Sequence, residues 1–381
     1  MNTTRPAPGP APAARRGWFP LTVDGLEALA DDTVAVTLRV PPDLASTFAA
    51  RAGQHVVVRH RRPGGRELRR AYSVCPPPGD PGALRLVIKR NSSDGFGAYA
   101  VDSLSSGDVL GLSPPTGGFG LPDLTGGHHV LLAGGTGVTP LAAMAATALR
   151  GSPDCRVSLV HAVRSAGTAL LADELAELKD EFVDRFTVLH VLSRERRGSG
   201  LFSGRIDAEK LTRLLSLLDA RPDGTTSFSL CGPAALVETA RTTLAAWGAR
   251  PELVGRELFS ADGTPPEAET GTGPGLEPDP ETEVAASGDE RHIRAVIGGR
   301  STVVAMAPGD RVVLDAVLRA RPEAPYACRE GVCGSCRAKV VAGSVTLGRQ
   351  HALDARDLAA GYTLACRARP RTDDLTLDFD L

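Results

Sequence analysis

Short β-branched runs broken by Pro/Gly turns mark the first hundred-odd residues. Positions 34–40, 54–58 and 84–89 each read as a strand. Such spacing predicts a small antiparallel β-barrel. From residue 128 the period changes. Apolar strand-like runs at 130–133, 157–162, 186–192 and 227–230 alternate with helix-period segments at 140–149, 170–182, 207–218 and 233–247. Regular alternation of strand and helix predicts a parallel sheet covered on both faces. A third pattern follows. Runs at 293–297 and 302–305 flank Gly298-Gly299 as a hairpin, and a short helix at 312–320 comes next.

Between the second and third patterns, residues 260–290 hold nine acidic side chains, no basic ones and five prolines. That composition cannot build a core and predicts an extended, mobile linker. The expected division is therefore a disordered tail at 1–17, an antiparallel β-barrel at 18–124, an α/β domain at 125–259, the linker, and an α+β domain at 291–381. The Pro/Ala-rich tail contains Arg15-Arg16, but no apolar stretch follows, so it does not read as an export signal.

Composition narrows the function classes. The chain has 381 residues, 42% hydrophobic, with a net charge of −2. No strong electrostatic pull toward nucleic acid or membrane is implied, and no apolar run is long enough to cross a bilayer. Cytoplasmic residence is the default expectation. Seven cysteines in a chain this long do not make a disulfide scaffold.

Four of those cysteines carry the strongest signal. Cys328, Cys333, Cys336 and the distant Cys366 are spaced C-x4-C-x2-C with a remote fourth, the plant-type [2Fe–2S] pattern. Gly331 and Gly334 let the loop wrap closely, with N–H groups free to point at sulfur. Zinc is the rival for four thiolates, but zinc knuckles come as paired C-x2-C units. Cys75 and Cys155 read as packed thiols, and Cys231 is not expected among the ligands.

Other motifs are weaker alone. Arg70-Ala71-Tyr72-Ser73, at the start of a barrel strand, offers an Arg for a pyrophosphate and a flat ring for an isoalloxazine. Taken alone it reads rather as a solvated Arg beside a core Tyr. Ile88-Lys89-Arg90 and Gly95-Phe96-Gly97 follow at a distance suited to a second phosphate-binding turn. Gly134-Gly135-Thr136-Gly137-Val138-Thr139-Pro140 joins a strand to a helix N-terminus, where a diphosphate is favoured. Cys231-Gly232-Pro233 sits at the same sheet edge, with Cys231 either core or beside a nicotinamide. Arg164 and Ser193-Arg194 place cations where an adenosine ribose phosphate fits, or form a solvated basic turn.

Together these pieces resemble the ferredoxin-NADP⁺ reductase superfamily with a plant-type ferredoxin domain fused at the C-terminus, over nearly all of residues 18–381. Further stretches of the same group are Arg51-Ala52-Gly53-Gln54-His55 and Pro114-Pro115-Thr116-Gly117-Gly118-Phe119. The motifs lie nearest the reductases that serve phenylacetyl-CoA epoxidase and ketosteroid hydroxylases. The resemblance implies FAD held by Arg70, Ala71, Tyr72, Ser73, Ile88, Lys89, Gly95, Phe96 and Gly97. It implies NADPH, in preference to NADH, held by Gly134, Gly135, Thr136, Gly137, Thr139, Pro140, Arg164, Ser193, Arg194, Cys231, Gly232 and Pro233. Thr139, Cys231 and Phe259 fall near the reacting rings. Electrons then leave through the [2Fe–2S] cluster to a partner oxygenase, expected to be a non-haem di-iron enzyme acting on an aromatic acyl-CoA. The alternatives are another monooxygenase or Rieske-type hydroxylase, small soluble acceptors with no protein partner, or a non-catalytic zinc module. Two departures stand out. Gly97 replaces a usual Ser, and His161-Ala162-Val163 replaces a usual Tyr-Gly-Asn before Arg164.

Overall fold

Strands of alternating burial close the N-terminal region into a barrel in the computed structural model. It describes residues 17–61, 67–75, 82–93, 95–121, 127–259, 291–353 and 355–381. The acidic segment 260–290, and all of the expected tail but Gly17, lie outside the described residues. The barrel strands are β1 (Phe19–Ala30), β2 (Thr33–Arg39), β3 (His55–Arg61), β4 (Glu67–Cys75), β5 (Ala83–Lys89) and β6 (Val109–Leu112). Their order is β1-β2-β5-β4-β3-β6, and β6 pairs back to β1 to remove the open edge. Val36, Leu38, Val56, Leu86, Ile88 and Leu112 fill its interior. Helix α1 (Phe96–Asp102) lies against it through Phe96 and Ala100. The Arg70–Ser73 motif falls in the middle of β4, not at a strand start, because Glu67 to Arg69 already pair with β3.

The second region is the parallel sheet expected from the alternation. Its elements are β7 (His128–Gly134), α2 (Val138–Gly151), β8 (Arg156–Val163), α3 (Ala172–Glu181), β9 (Phe186–Leu192), α4 (Ala208–Leu217), β10 (Thr226–Gly232), α5 (Ala234–Trp247) and β11 (Val254–Leu258). Strand order is β11-β10-β7-β8-β9, every pair parallel. One face buries Leu131, Leu141, Leu159 and Leu175, and Ala35, Cys75 and Val87 of the barrel join that core. The two regions therefore share apolar packing. Cys75 and Cys155 are indeed buried thiols within it.

The third region comprises β12 (His292–Ile297), β13 (Arg300–Ala305), α6 (Val313–Ala320), β14 (Arg337–Ala342), β15 (Val345–Leu347), α7 (Ala355–Ala359), β16 (Tyr362–Leu364), β17 (Ala368–Pro370) and β18 (Asp374–Asp378). The main sheet runs β13-β12-β18-β14-β16, with β12 and β18 parallel, and β15 pairs with β17 apart from it. Helix α6 covers this sheet through Val313, Leu314, Ala316 and Val317, a β-grasp arrangement. The Gly298-Gly299 turn has φ of 61° and 71°, the left-handed pair a two-residue hairpin needs. No described helix is long and apolar enough to cross a membrane.

Candidate functional site

The nucleotide turn is built by two strand ends that touch backbone to backbone. β7 ends at Gly134, residues Gly135–Gly137 make one 3-10 turn, and α2 follows. A Cβ on Gly137 would lie 2.1 Å from the Cys231 carbonyl oxygen. One on Gly134 would lie 2.6 Å from Pro233 Cδ. The Gly134 turn and the Cys231-Gly232-Pro233 turn can approach this closely only as glycines. Thr139 is buried, and its hydroxyl donates to the Thr136 carbonyl at 3.0 Å. Pro140 stands in the first turn of α2, where its missing N–H breaks no helical bond. His161 pins the turn from below, with Nε2 at 3.0 Å from the Gly135 carbonyl oxygen. Burial drops its pKa to about 4, so the ring is neutral with the proton on Nε2.

A polar junction links this turn to the barrel and the third region. Glu257 on β11 has Oε2 at 3.5 Å from Ser73 Oγ and 4.0 Å from Cys231 Sγ. Its other oxygen lies 3.9 Å from His55 Nδ1. His55 Nε2 in turn lies 3.4 Å from Ser335 Oγ, between two of the expected cluster ligands. Burial raises the Glu257 carboxyl to about 8 and lowers the His55 imidazole to about 4. At pH 7 the two therefore meet as neutral groups, not as an ion pair. Burial also drives the Cys231 thiol well above its ordinary range, so it stays protonated. Glu257 and His55 carry no spacing signal in the sequence. A lone Glu in a short edge strand is the only trace of the first, and the last position of the Arg51–His55 stretch is the trace of the second. Phe259 follows on the same segment, half-buried, its N–H bonded to the Gly232 carbonyl at 3.3 Å. A cleft of about 1000 Å³ opens beside the junction, lined by His55, Glu257, Tyr326, Cys333 and Ser335 among others. Arg70, Tyr72 and Lys89 do not line it.

Those barrel residues are grouped elsewhere. Tyr72 packs on Phe96 of α1 with ring centroids 5.9 Å apart. Half-buried Arg70 and Ala71 flank it on β4. Gly95 precedes α1 as its N-cap. Gly97 is forced: a Cβ there would sit 2.2 Å from the Lys89 carbonyl oxygen. The departure from Ser is thus a packing requirement of this chain. Ile88 sends its side chain wholly into the barrel core, leaving only backbone for a ligand. Lys89 and Arg164 converge from two domains on Asp32, at 3.2 and 3.5 Å. Burial raises the Asp32 carboxyl, but Thr33, Lys89 and Arg164 outweigh that and hold it below the usual range. Ser193 and Arg194 stand beside Arg164 at the carboxyl edge, their N–H groups bonded at 2.8 Å to the carbonyls of Val163 and Arg164.

The three loop cysteines and the remote Cys366 come together as two pairs. Cys328 Sγ accepts N–H bonds from Glu330 at 3.3 Å and Cys333 at 3.4 Å. A hydrogen bond from the Cys333 thiol, with those N–H groups, lowers the Cys328 thiol to about 5 against the pull of burial. Cys366 is lowered in the same way, first by its bond to Cys336. Arg329, Gly331 and Gly334 all have left-handed φ, which coils the loop around the sulfurs. Among the described residues no three His, Cys, Asp or Glu side chains form a group that could hold one metal ion. Two pairs suit two irons, each taking two thiolates, better than one tetrahedral zinc taking four. Cys75, Cys155 and Cys231 lie together in another core.

Three families of known domains match the chain in succession. Residues 20–120 match the oxidoreductase FAD-binding domain family, 131–242 the oxidoreductase NAD-binding domain family and 296–371 the 2Fe-2S iron-sulfur cluster binding domain family. A component protein of 1,2-phenylacetyl-CoA epoxidase from Escherichia coli (strain K12) is 33% identical over 94% of this chain and 97% of that one. The ferredoxin reductase component of 3-ketosteroid-9-alpha-monooxygenase from Rhodococcus rhodochrous is 29% identical, over 94% and 96%. The solved phthalate dioxygenase reductase, a modular structure for electron transfer from pyridine nucleotides to [2Fe–2S], has the same fold. It aligns over 95% of this chain and 98% of that one, with a TM-score of 0.55 and 23% identity.

Proposed function

The chain is an oxidoreductase of the ferredoxin-NADP⁺ reductase superfamily, in the group with a C-terminal [2Fe–2S] domain, and we propose that it carries electrons from NADPH to a non-haem di-iron oxygenase acting on an aromatic acyl-CoA. A flavin bound there would supply the exchange between two-electron nicotinamide chemistry and one-electron iron–sulfur chemistry. The protein's part is placement. Arg70 would hold the flavin pyrophosphate, and Tyr72 and Ser73 the ring. The Gly134–Pro140 turn receives the nucleotide diphosphate. Ser193 and Arg194, with Arg164 beside them, take the 2′-phosphate. Cys328, Cys333, Cys336 and Cys366 ligate the two irons.

One observation carries the relay reading. Ser335, inside the ligand loop, meets His55, and His55 meets the Glu257 that touches both Ser73 and Cys231. These contacts support a reading in which flavin, nicotinamide and cluster sites meet at one junction. The preference for NADPH is supported by Ser193, Arg194 and Arg164 standing together at the sheet edge. The acyl-CoA epoxidase type of partner is supported by the near full-length likeness to the phenylacetyl-CoA epoxidase component.

The test is reconstitution. The candidate oxygenase should turn over with NADPH plus this protein, and neither NADPH alone nor the Cys333→Ser protein should replace it. Full turnover with Cys333→Ser would mean that electrons bypass the cluster. Turnover by a Rieske-type hydroxylase, but not by a di-iron epoxidase, would reassign the partner.

A further inference from the structure

The pleat of β4 sends its two adjacent arginines to opposite faces. Arg70 shares a face with Tyr72, whereas Arg69 points toward the third region. Arg69 is 6% exposed, and every donor nitrogen of its guanidinium is engaged. Nε donates to Glu67 Oε1 at 2.7 Å. Nη1 donates to the Ala324 carbonyl and Nη2 to the Pro322 carbonyl, each at 3.0 Å. Two aromatic rings lie against the guanidinium as well. The Tyr326 ring lies 4.3 Å from the guanidinium carbon and the Trp18 ring 4.9 Å. Two carbonyls and one ring therefore come from residues 322–326, the segment that runs directly into Cys328. The other ring and the carboxylate come from the barrel.

We propose that Arg69 is a positioning residue for electron transfer, clamping the 322–326 segment to the barrel and so fixing the cluster loop over the His55–Glu257 junction. The inference rests on the reading that flavin binds the barrel and the cluster binds the Cys328 loop. A second polar contact of the loop with the barrel, His55 on β3 to Ser335, is a single long bond at 3.4 Å. It cannot register a domain alone. A buried guanidinium can, because its planar fork fixes two acceptors while its faces stack. Lysine offers neither the fork nor the faces. Glu67 also meets Arg59 and Arg61, at 4.0 and 3.8 Å, so losing Arg69 would not leave its charge unpaired. A clamp of this kind moves no proton and breaks no bond. It sets only the separation across which one electron passes.

The experiment compares the holoprotein with its Arg69→Ala, Arg69→Lys and Tyr326→Leu variants. Flavin and iron content are measured first, and solution X-ray scattering reports how extended each protein is. Stopped-flow mixing with NADPH then separates flavin bleaching from the later absorbance change of the cluster. Arg69→Ala should keep both cofactors and the wild-type bleaching rate. Its scattering should show a more extended particle, and cluster reduction should slow about tenfold or more, as the loss of two charged hydrogen bonds implies. Arg69→Lys should fall between the two, and Tyr326→Leu should shift in the same direction by less. If Arg69→Ala fails to fold, those two variants decide the matter. Wild-type scattering and wild-type cluster reduction in the variants would overturn the clamp. An unmodified protein whose flavin NADPH does not bleach would instead overturn the relay reading, and scattering would still judge the clamp.

Discussion

Glu257→Gln should make the stability of this protein much less sensitive to pH, and the structure fixes the sign. The carboxyl moves from an ordinary 4.5 to about 8 because it is buried among Ser73, Cys231 and His55. Its folded-state pKa therefore lies above the unfolded one. The folded chain holds this proton more tightly between pH 4.5 and 8. The stability it contributes is complete below pH 4.5 and is lost as pH rises through 8. A shift of some three and a half pH units corresponds to at most about 5 kcal/mol. The side chain is 14% exposed, so solvent screening trims this only slightly. Glutamine keeps the shape and a neutral head, and removes the titration.

The assay is thermal unfolding of both proteins from pH 4.5 to 9. The two melting curves should differ little at the acid end. They should separate as pH rises, with Glu257→Gln the more stable by roughly ten degrees at pH 8.5. Other titrating groups are common to both proteins and cancel. His55 is the closest, and burial keeps it neutral in the fold across this window. Parallel curves from pH 5 to 9 would show that the carboxyl titrates normally and would refute the buried, protonated junction.

Three further outcomes follow from the site. The native protein should carry about two irons and two acid-labile sulfides per chain, and Cys333→Ser should lose them while Cys75→Ser keeps them, as iron and sulfide analysis will show. Arg70→Ala should weaken flavin binding by about 1.5–3 kcal/mol, and chromatography of the flavin released from the native protein should return FAD rather than FMN. Arg194→Ala should raise KM for NADPH severalfold and leave NADH nearly unchanged in steady-state kinetics, whereas equal efficiency with both cofactors in the native protein would remove the 2′-phosphate site.

Local patterns were legible in the sequence. The strand–helix alternation from residue 128 onward placed the parallel sheet, with edges within a few residues of those observed. Asp207 shows why: its side chain accepts the Lys210 N–H at 2.8 Å, an N-cap that starts α4 where the sequence implied. Three of the four cluster ligands sit in one loop, so chain geometry alone gathers them. Strands without β-branched runs escaped notice. β11 carries Gly255, Arg256 and Glu257 in five residues, and β18 owes its place to parallel pairing with β12, more than seventy positions away. The same reason hid Asp32, His55 and Glu257. No spacing joins residue 32 to 89 and 164, or 55 to 257 and 335. Only barrel closure and sheet order bring them together.

The glycines of the nucleotide turn show how far motif reading reaches. By composition, Gly134, Gly135 and Gly137 all read as room for a pyrophosphate. Gly134 and Gly137 are instead committed to the chain itself, since an added Cβ would strike Pro233 or the Cys231 carbonyl. Lost nucleotide binding in a variant at either position would report a displaced turn, and with it a displaced Cys231 and Glu257. Gly135 differs. Its φ is 54°, a conformation Asn also tolerates, and an added Cβ would meet nothing within 4 Å. That opening belongs to whatever approaches the turn from outside the protein. A substitution at Gly135 therefore reads ligand approach with the least disturbance to the fold. The motif's chemistry and its packing thus separate residue by residue, and only the structure tells which glycine serves which.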